Sequence, residues 1–367
     1  MREPSRMTLP SAAAMPISKL DFSFTAKRRL RSLGIASALQ LAEIADRDPG
    51  KLRHATGVTA TRARRVLEKA VGVLPDFSNT AMTFAPLPPS GLAIETHPMS
   101  SAAGSNGVNA TRPTPQLLSY LDALVDLPSR VSLVPHMSAV GDQGPWGTCV
   151  GWAANALREY ALGRAMSPGY AYRGAKSIDG LSCEGSFLRC AMQHLYGVGH
   201  VSEDTYNYRA AIRGEPIAQL AGIAASARSG GWASVDVTQP IPYLPKLMRA
   251  SLAGRLRTGV GPQPIGIGLR LFRSFATTST ALDGLIYNPF PNEEHLGGHA
   301  MSVVGYIDSN DPGNPFEISY FMVRNSWGST WAAENPFDAP GHAMIPETYF
   351  ADRRLVLEAV ICLGGQV

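Results

Sequence analysis

The sequence predicts an α+β protein preceded by a small all-α domain, and three observations carry that expectation. Val150, Ala153, Ala154, Leu157 and Ala161 recur at helical spacing behind a glycine-rich, helix-breaking run. Residues 263–269, 284–287, 300–307 and 318–324 have the short, β-branched or alternating character of strands. Residues 17–74 differ in composition from everything after them, and their apolar positions fall only at helical spacing.

At 367 residues, with 45% hydrophobic and 17% charged content, the chain is long enough for one large domain plus a small one. No apolar run approaches the ~18 residues of a membrane span, and the first 20 residues lack an apolar core, so neither an anchor nor a signal peptide is expected. Four cysteines, Cys149, Cys183, Cys190 and Cys362, are too few for a disulfide framework. A Cys183–Cys190 bridge is the minority reading; a reducing, cytoplasmic setting is the expected one, with no cofactor, no metal and no membrane partner.

Four segments follow in order: a disordered N-terminus (1–16), a helical domain (17–75), a linker or strap (76–115) and a large domain (116–367). Residues 17–74 hold 12 Lys/Arg against 5 Asp/Glu, about +7, although the whole chain is only +4. Helices are expected over 26–33, 38–45 and 63–74, separated by Leu33-Gly34-Ile35 and Thr56-Gly57-Val58-Thr59. Beyond them the chain is rich in Pro, Gly, Ser and Ala with almost no charge, too polar to fold alone. Its apolar stretch 84–89 has the mass to lie in a groove.

In the large domain, Gly141-Asp142-Gln143-Gly144-Pro145-Trp146-Gly147-Thr148 delivers Cys149 to a helix start. Unpaired N–H groups and the helix dipole favour the nucleophilic thiolate there, where a free thiol titrates near ~8.5. A nucleophile needs a base and an orienter. His299 enters the strand 300–307 behind Gly298, and Asn325 follows the strand 318–324, trailed by Ser326-Trp327-Gly328. Taken singly, each residue has a bland alternative: a small buried hydrophobe, a satisfied polar group, a turn. His54, His136, His194, His200, His295, His342 and Cys362 lack such a context and are read as structural.

These stretches together resemble the papain-like cysteine peptidases, over about 127–346, in a bacterial style suggested by 127–131, Glu184-Gly185-Ser186 and 202–206. Gln143 stands six residues before Cys149, the spacing that family uses for its oxyanion glutamine. The sequence departs from the family at Trp146-Gly147-Thr148-Cys149-Val150, which lacks the family's extra cysteine and following tryptophan, and at Trp331, followed by Ala332 where the family often has glycine. The resemblance implies two lobes, one helical and one a twisted antiparallel sheet, with function in the cleft between them.

It also implies roles. His299 would take the Cys149 proton, and the thiolate would attack a peptide carbonyl. Gln143 and the Cys149 N–H would hold the oxyanion, Asn325 would orient the imidazole, and Trp327 would shield that bond. Gly185, Ser186, Ala300 and Ile286 are the expected substrate-binding positions. The N-terminal domain resembles helix-hairpin-helix modules, in particular the C-terminal domain of the RNA polymerase alpha subunit, through Leu33-Gly34-Ile35. Arg62, Arg64, Arg65 and Lys69 could attract DNA phosphates, although Thr59 replaces the hairpin's second glycine; a protein partner or packing on the chain's own large domain is the favoured alternative. Three function classes stay open: a peptidase acting on peptides or proteins, an amidase or transferase using the same acyl-thioester chemistry, and a binding protein led by the basic module.

Overall fold

The computed structural model describes residues 14–72, 77, 127–235, 237, 243–256 and 261–362. Helices α1 (Phe24–Ser32), α2 (Ala38–Arg47), α3 (Pro49–Thr56) and α4 (Ala60–Val71) come first. Ser23, Ser37 and Thr59 each cap a start by accepting from the N–H three residues on, and Ser37 with Gln40 completes a capping box. Helix α3 departs from the expected three-helix pattern. Asp48-Pro49-Gly50 has turn composition, yet a proline in the first helical turn has no N–H to lose there, and Gly57 ends the helix at φ 77°.

The boundaries of this domain differ from the expectation at both ends. Pro16, assigned to a disordered N-terminus, bridges Ser37, and the Met15 carbonyl accepts from Ala38 N at 2.9 Å. Phe77, assigned to the linker, is buried in the helical core and donates its N–H to Asp46 Oδ2 at 2.8 Å. The stretch 84–89 and the rest of the expected strap, 76 and 78–115, lie outside the described residues.

One lobe of the large domain is helical: α5 (Cys149–Leu162), α6 (Pro168–Asp179), α7 (Leu188–Gly197), α8 (Tyr208–Ile212) and α9 (Ala221–Ala224). Helix α5 is buried from Cys149 to Glu159 apart from Trp152, because its apolar residues wrap almost the whole circumference. Gly151 lets α6 approach: a Cβ there would stand 2.4 Å from the Pro168 carbonyl.

The other lobe is a sheet of β1 (Arg130–Ser132), β2 (Trp232–Ser234), β3 (Ile265–Leu271), β4 (Gly297–Ile307), β5 (Tyr320–Arg324), β6 (His342–Pro346) and β7 (Val356–Cys362), with α10 (Tyr243–Leu252), α11 (Thr278–Asp283) and α12 (Glu347–Ala351) about it. The order is β2-β7-β3-β4-β5-β6, β1 also pairs with β4, and each named pair is antiparallel. Three of the four expected strands form. Residues 284–287 do not: Leu285 makes a single bridge to Met344, and its carbonyl is taken by Gln40 Nε2 of α2 at 2.8 Å.

That bond belongs to a broad docking of the helical domain on the sheet lobe. Glu43, 1% exposed, accepts from Thr278 N (2.9 Å) and Ser279 N (2.7 Å), the open N–H groups of α11. Asn288 N donates to the Leu33 carbonyl at 2.7 Å, and Tyr287 and Phe290 join the helical domain's core. Gly34, at φ 75°, passes so close that a Cβ would fall 2.6 Å from Pro346 Cγ. Among the described residues no helix is long and apolar enough to cross a membrane.

Candidate active site

Cys149 is the first residue of α5, after Thr148, and is fully buried. The Thr148 hydroxyl and the Tyr208 hydroxyl lie 2.5 Å apart, and Tyr208 also donates to the Gln143 carbonyl at 2.8 Å, so α8 ties the loop ahead of Cys149 to the helix start. Across the seam, Ala300 N donates to Cys149 Sγ at 3.3 Å. That contact places the thiol beside β4, where His299 precedes Ala300.

His299 Nε2 lies 2.8 Å from Asn325 Oδ1, and the same oxygen accepts from Ser326 N at 2.8 Å. A backbone N–H can only donate, so Asn325 presents oxygen and Nε2 carries the proton. In the neutral ring Nδ1 then keeps the lone pair. Burial pushes His299 down to about 4, opposed by the Asn325 bond. The Trp327 ring stacks on the imidazole, centroids 4.9 Å apart and planes 26° off parallel, and Trp331 meets Trp327 edge-on at 5.3 Å. Ala332 adopts φ 52°, the left-handed conformation that glycine holds more cheaply, and is fixed by its N–H to the Ala281 carbonyl at 2.8 Å.

Gln143 is fully buried, and its amide has one possible orientation. Oε1 accepts from Ser326 Oγ at 2.6 Å while Nε2 donates to the Trp146 carbonyl at 2.7 Å, leaving the second Nε2 proton. Ser326 therefore anchors Asn325 through its N–H and Gln143 through its hydroxyl. Its carbonyl also accepts from Gln143 N at 2.8 Å. Ser326 and Tyr208 are absent from the sequence-based site. Ser326 carried a signal as the residue between Asn325 and Trp327; Tyr208 carried none.

The expected substrate-binding positions divide. Gly185, at φ 88°, and the buried Ser186 lie beside the Cys149 loop, since Glu184 bonds Gly147, and the Lys176 ammonium holds the Gly185 carbonyl at 3.1 Å. Ala300 is buried at the seam and helps line a cavity of about 330 Å³ with Ala153, Glu159, Arg324 and Asn325. Ile286 is not brought to this group: it is fully buried in the sheet-lobe core, with its carbonyl beneath Gly34. None of the four cysteines is in a disulfide, so the Cys183–Cys190 bridge is not formed, and burial pushes the Cys190 thiol up to about 12.

Of the four basic side chains on α4, Arg64 is committed to Asp46 through two contacts, Nε–Oδ1 at 2.8 Å and a closer Nη2–Oδ2 pair. The Arg62 guanidinium lies 6.0 Å from the Phe22 ring centroid. Lys69 approaches Asp21 at 3.7 Å with both side chains exposed, and Arg65 is exposed.

The model of the papain family of cysteine proteases matches residues 135–337, more than half of the chain. An uncharacterized peptidase C1-like protein of Acanthamoeba polyphaga mimivirus is 25% identical over 254 residues, covering 65% of this chain and 75% of that protein. Among solved structures, xylellain, a cysteine protease from Xylella fastidiosa, is similar with a TM-score of 0.55 at 22% identity, covering 76% of this chain and 98% of the other. Procathepsin L2 from the larval midgut of Tenebrio molitor is similar with a TM-score of 0.50 at 18% identity, covering 76% and 78%.

Proposed function

The chain belongs to the papain family of cysteine proteases, and on that premise we propose that it hydrolyses peptide bonds with Cys149 as nucleophile, His299 as base, Asn325 as orienter and Gln143 as oxyanion donor. The observation that carries this reading is the double use of Asn325 Oδ1 by His299 Nε2 and Ser326 N. It pins the tautomer whose Nδ1 can take the Cys149 proton, and the α5 dipole favours the thiolate that results. The thiolate attacks the carbonyl carbon, and the Cys149 N–H and the remaining Gln143 amide proton meet the developing oxyanion, each worth on the order of 3 kcal/mol. The imidazolium then protonates the leaving amine, and water clears the acyl-enzyme.

The helical domain's role in this reading is to brace the sheet lobe. Glu43 and Gln40 spend their polar atoms on α11 and Leu285, and Arg64 spends its charge on Asp46. Of the four basic side chains, this leaves Arg62, Arg65 and Lys69 outside an internal fork pair, a thin set for a phosphate backbone.

The deciding experiment compares labelling by a thiol-directed epoxide and peptide turnover in Cys149→Ala with the same measurements in Cys183→Ala, Cys190→Ala and Cys362→Ala. Cys149→Ala abolishes both, and the other three retain both. Labelling that persists without Cys149 overturns the assignment.

A further inference from the structure

Glu184 Oε2 accepts from Gly147 N at 3.0 Å, and Gly147 stands two residues ahead of Cys149. A carboxylate is thus tethered to the loop that carries the proposed nucleophile. The approach depends on the missing side chain at 147: a Cβ there would stand 3.1 Å from Glu184 Oε2 and 3.2 Å from Glu184 Cβ. Gly147 is buried but Glu184 is exposed, and a carboxylate has lone pairs beyond the one this bond uses. Lys176, which holds this wall from α6, is spent elsewhere. Lys176 Nζ pairs with Asp179 at 3.1 Å and holds the carbonyls of Cys183 (2.9 Å) and Gly185 (3.1 Å), which fixes the backbone on either side of Glu184.

The direction of a bound peptide follows from the proposed chemistry. The leaving nitrogen must be reached by His299, so the residues after the cleaved bond run along the sheet lobe beside Trp327. The carbonyl oxygen points to Gln143 and Cys149 N. The side chain on the acyl side is then left over the helical-lobe loops at 146–147 and 183–185, where Glu184 is the fixed charge. We propose that Glu184 selects lysine or arginine as the residue on the acyl side of the cleaved bond. The inference rests on the peptidase reading above.

The test measures kcat/KM on peptides identical except at that residue, which is arginine, its uncharged isostere citrulline, or glutamate, in the full-length protein. Matched acyloxymethyl ketone probes with arginine or citrulline report reaction at Cys149 independently of turnover. An exposed but tethered carboxylate is expected to favour arginine over citrulline roughly twofold to fivefold, less at high salt. Glu184→Gln keeps an oxygen for Gly147 N, so the arginine preference collapses toward unity; Glu184→Lys shifts preference to glutamate. A merely structural tether would move neither ratio. An arginine-to-citrulline ratio unchanged in both variants overturns this inference and leaves the peptidase reading standing. No turnover of any peptide together with no reaction of either probe at Cys149 overturns both.

Discussion

Two buried polar seams cross this molecule, and they spend their hydrogen bonds differently. At the proposed catalytic seam Ser326 anchors Asn325, which holds His299, and Gln143 from behind, leaving the Nδ1 lone pair of His299 and the second amide proton of Gln143 for a partner. At the junction of the helical domain with the sheet lobe, Glu43 takes two N–H groups of α11 and the Arg47 guanidinium at 3.0 Å, and Gln40 takes Ala36 N while donating to Leu285. Gln40 Oε1 also accepts from Ser37 N at 3.3 Å, so the acceptors of this seam are spent on the junction's own groups. The contrast shows that burial and polarity do not by themselves mark a site; an imidazole lone pair one residue from the backbone contact to a helix-start thiol does.

The largest expected effect separates the seams by pH. Burial lowers His194, His299 and His342 to about 4 and takes His200 well below its ordinary 6.5. The unfolded chain binds these protons first, so stability falls as pH drops from about 6.5 toward 4, by on the order of 2 kcal/mol for each of His194, His299 and His342 at pH 5 and with the same sign for His200. All four lie in the large domain. Denaturant melts between pH 7 and 5 check it, and a flat profile would show that these histidines charge in the folded state.

Next comes Ser326→Ala, which removes the hydroxyl holding Gln143 while leaving the backbone N–H on Asn325. Turnover should fall roughly a hundredfold, the scale of losing one oxyanion donor, with KM changing little. Saturation kinetics decide it, and a loss confined to KM would place Gln143 in ground-state binding.

Glu43→Ala probes the other seam. It leaves Thr278 N and Ser279 N buried without acceptors and should cost about 2–3 kcal/mol of stability. Turnover measured well below the melting transition should stay within about twofold. Lost turnover in a fully folded variant would break the division between a reacting seam and a bracing one.

The smallest effect has the opposite pH sign. Asp283, at the far end of α11, is fully buried and its carboxyl is raised well above its ordinary 3.8 by burial, with Glu43 adding to the shift. The folded state holds this proton longer than the unfolded chain, so its stabilising contribution is lost as pH rises. Asp283→Asn keeps an oxygen for Leu285 N, bonded at 2.9 Å in the parent, and should be more stable than the parent at pH 8, with the gap closing on acidification. Equal melts for parent and variant at pH 8 would mean that solvent or a neighbour screens the carboxylate.

The sequence alone determined whatever depends on neighbours along the chain. A cysteine behind a glycine-rich breaker starts a helix, Ser and Thr cap α1, α2 and α4, and Gln143, His299 and Asn325 can be picked out because each sits in a short, distinctive context. Local rules also fell short: the helix Pro49–Thr56 lies between the expected helices, and 284–287 has a strand's composition but gives its carbonyl to Gln40. Only the tertiary structure decided that Ile286 is core, that Ser326 links two catalytic candidates, that Tyr208 ties the cysteine loop, and that Glu43 caps a helix 235 positions away. The reason is physical. Helix and strand periods are set within a few residues, whereas the partner of a buried polar atom is chosen by which distant surfaces meet when the chain packs, and no local pattern encodes that choice.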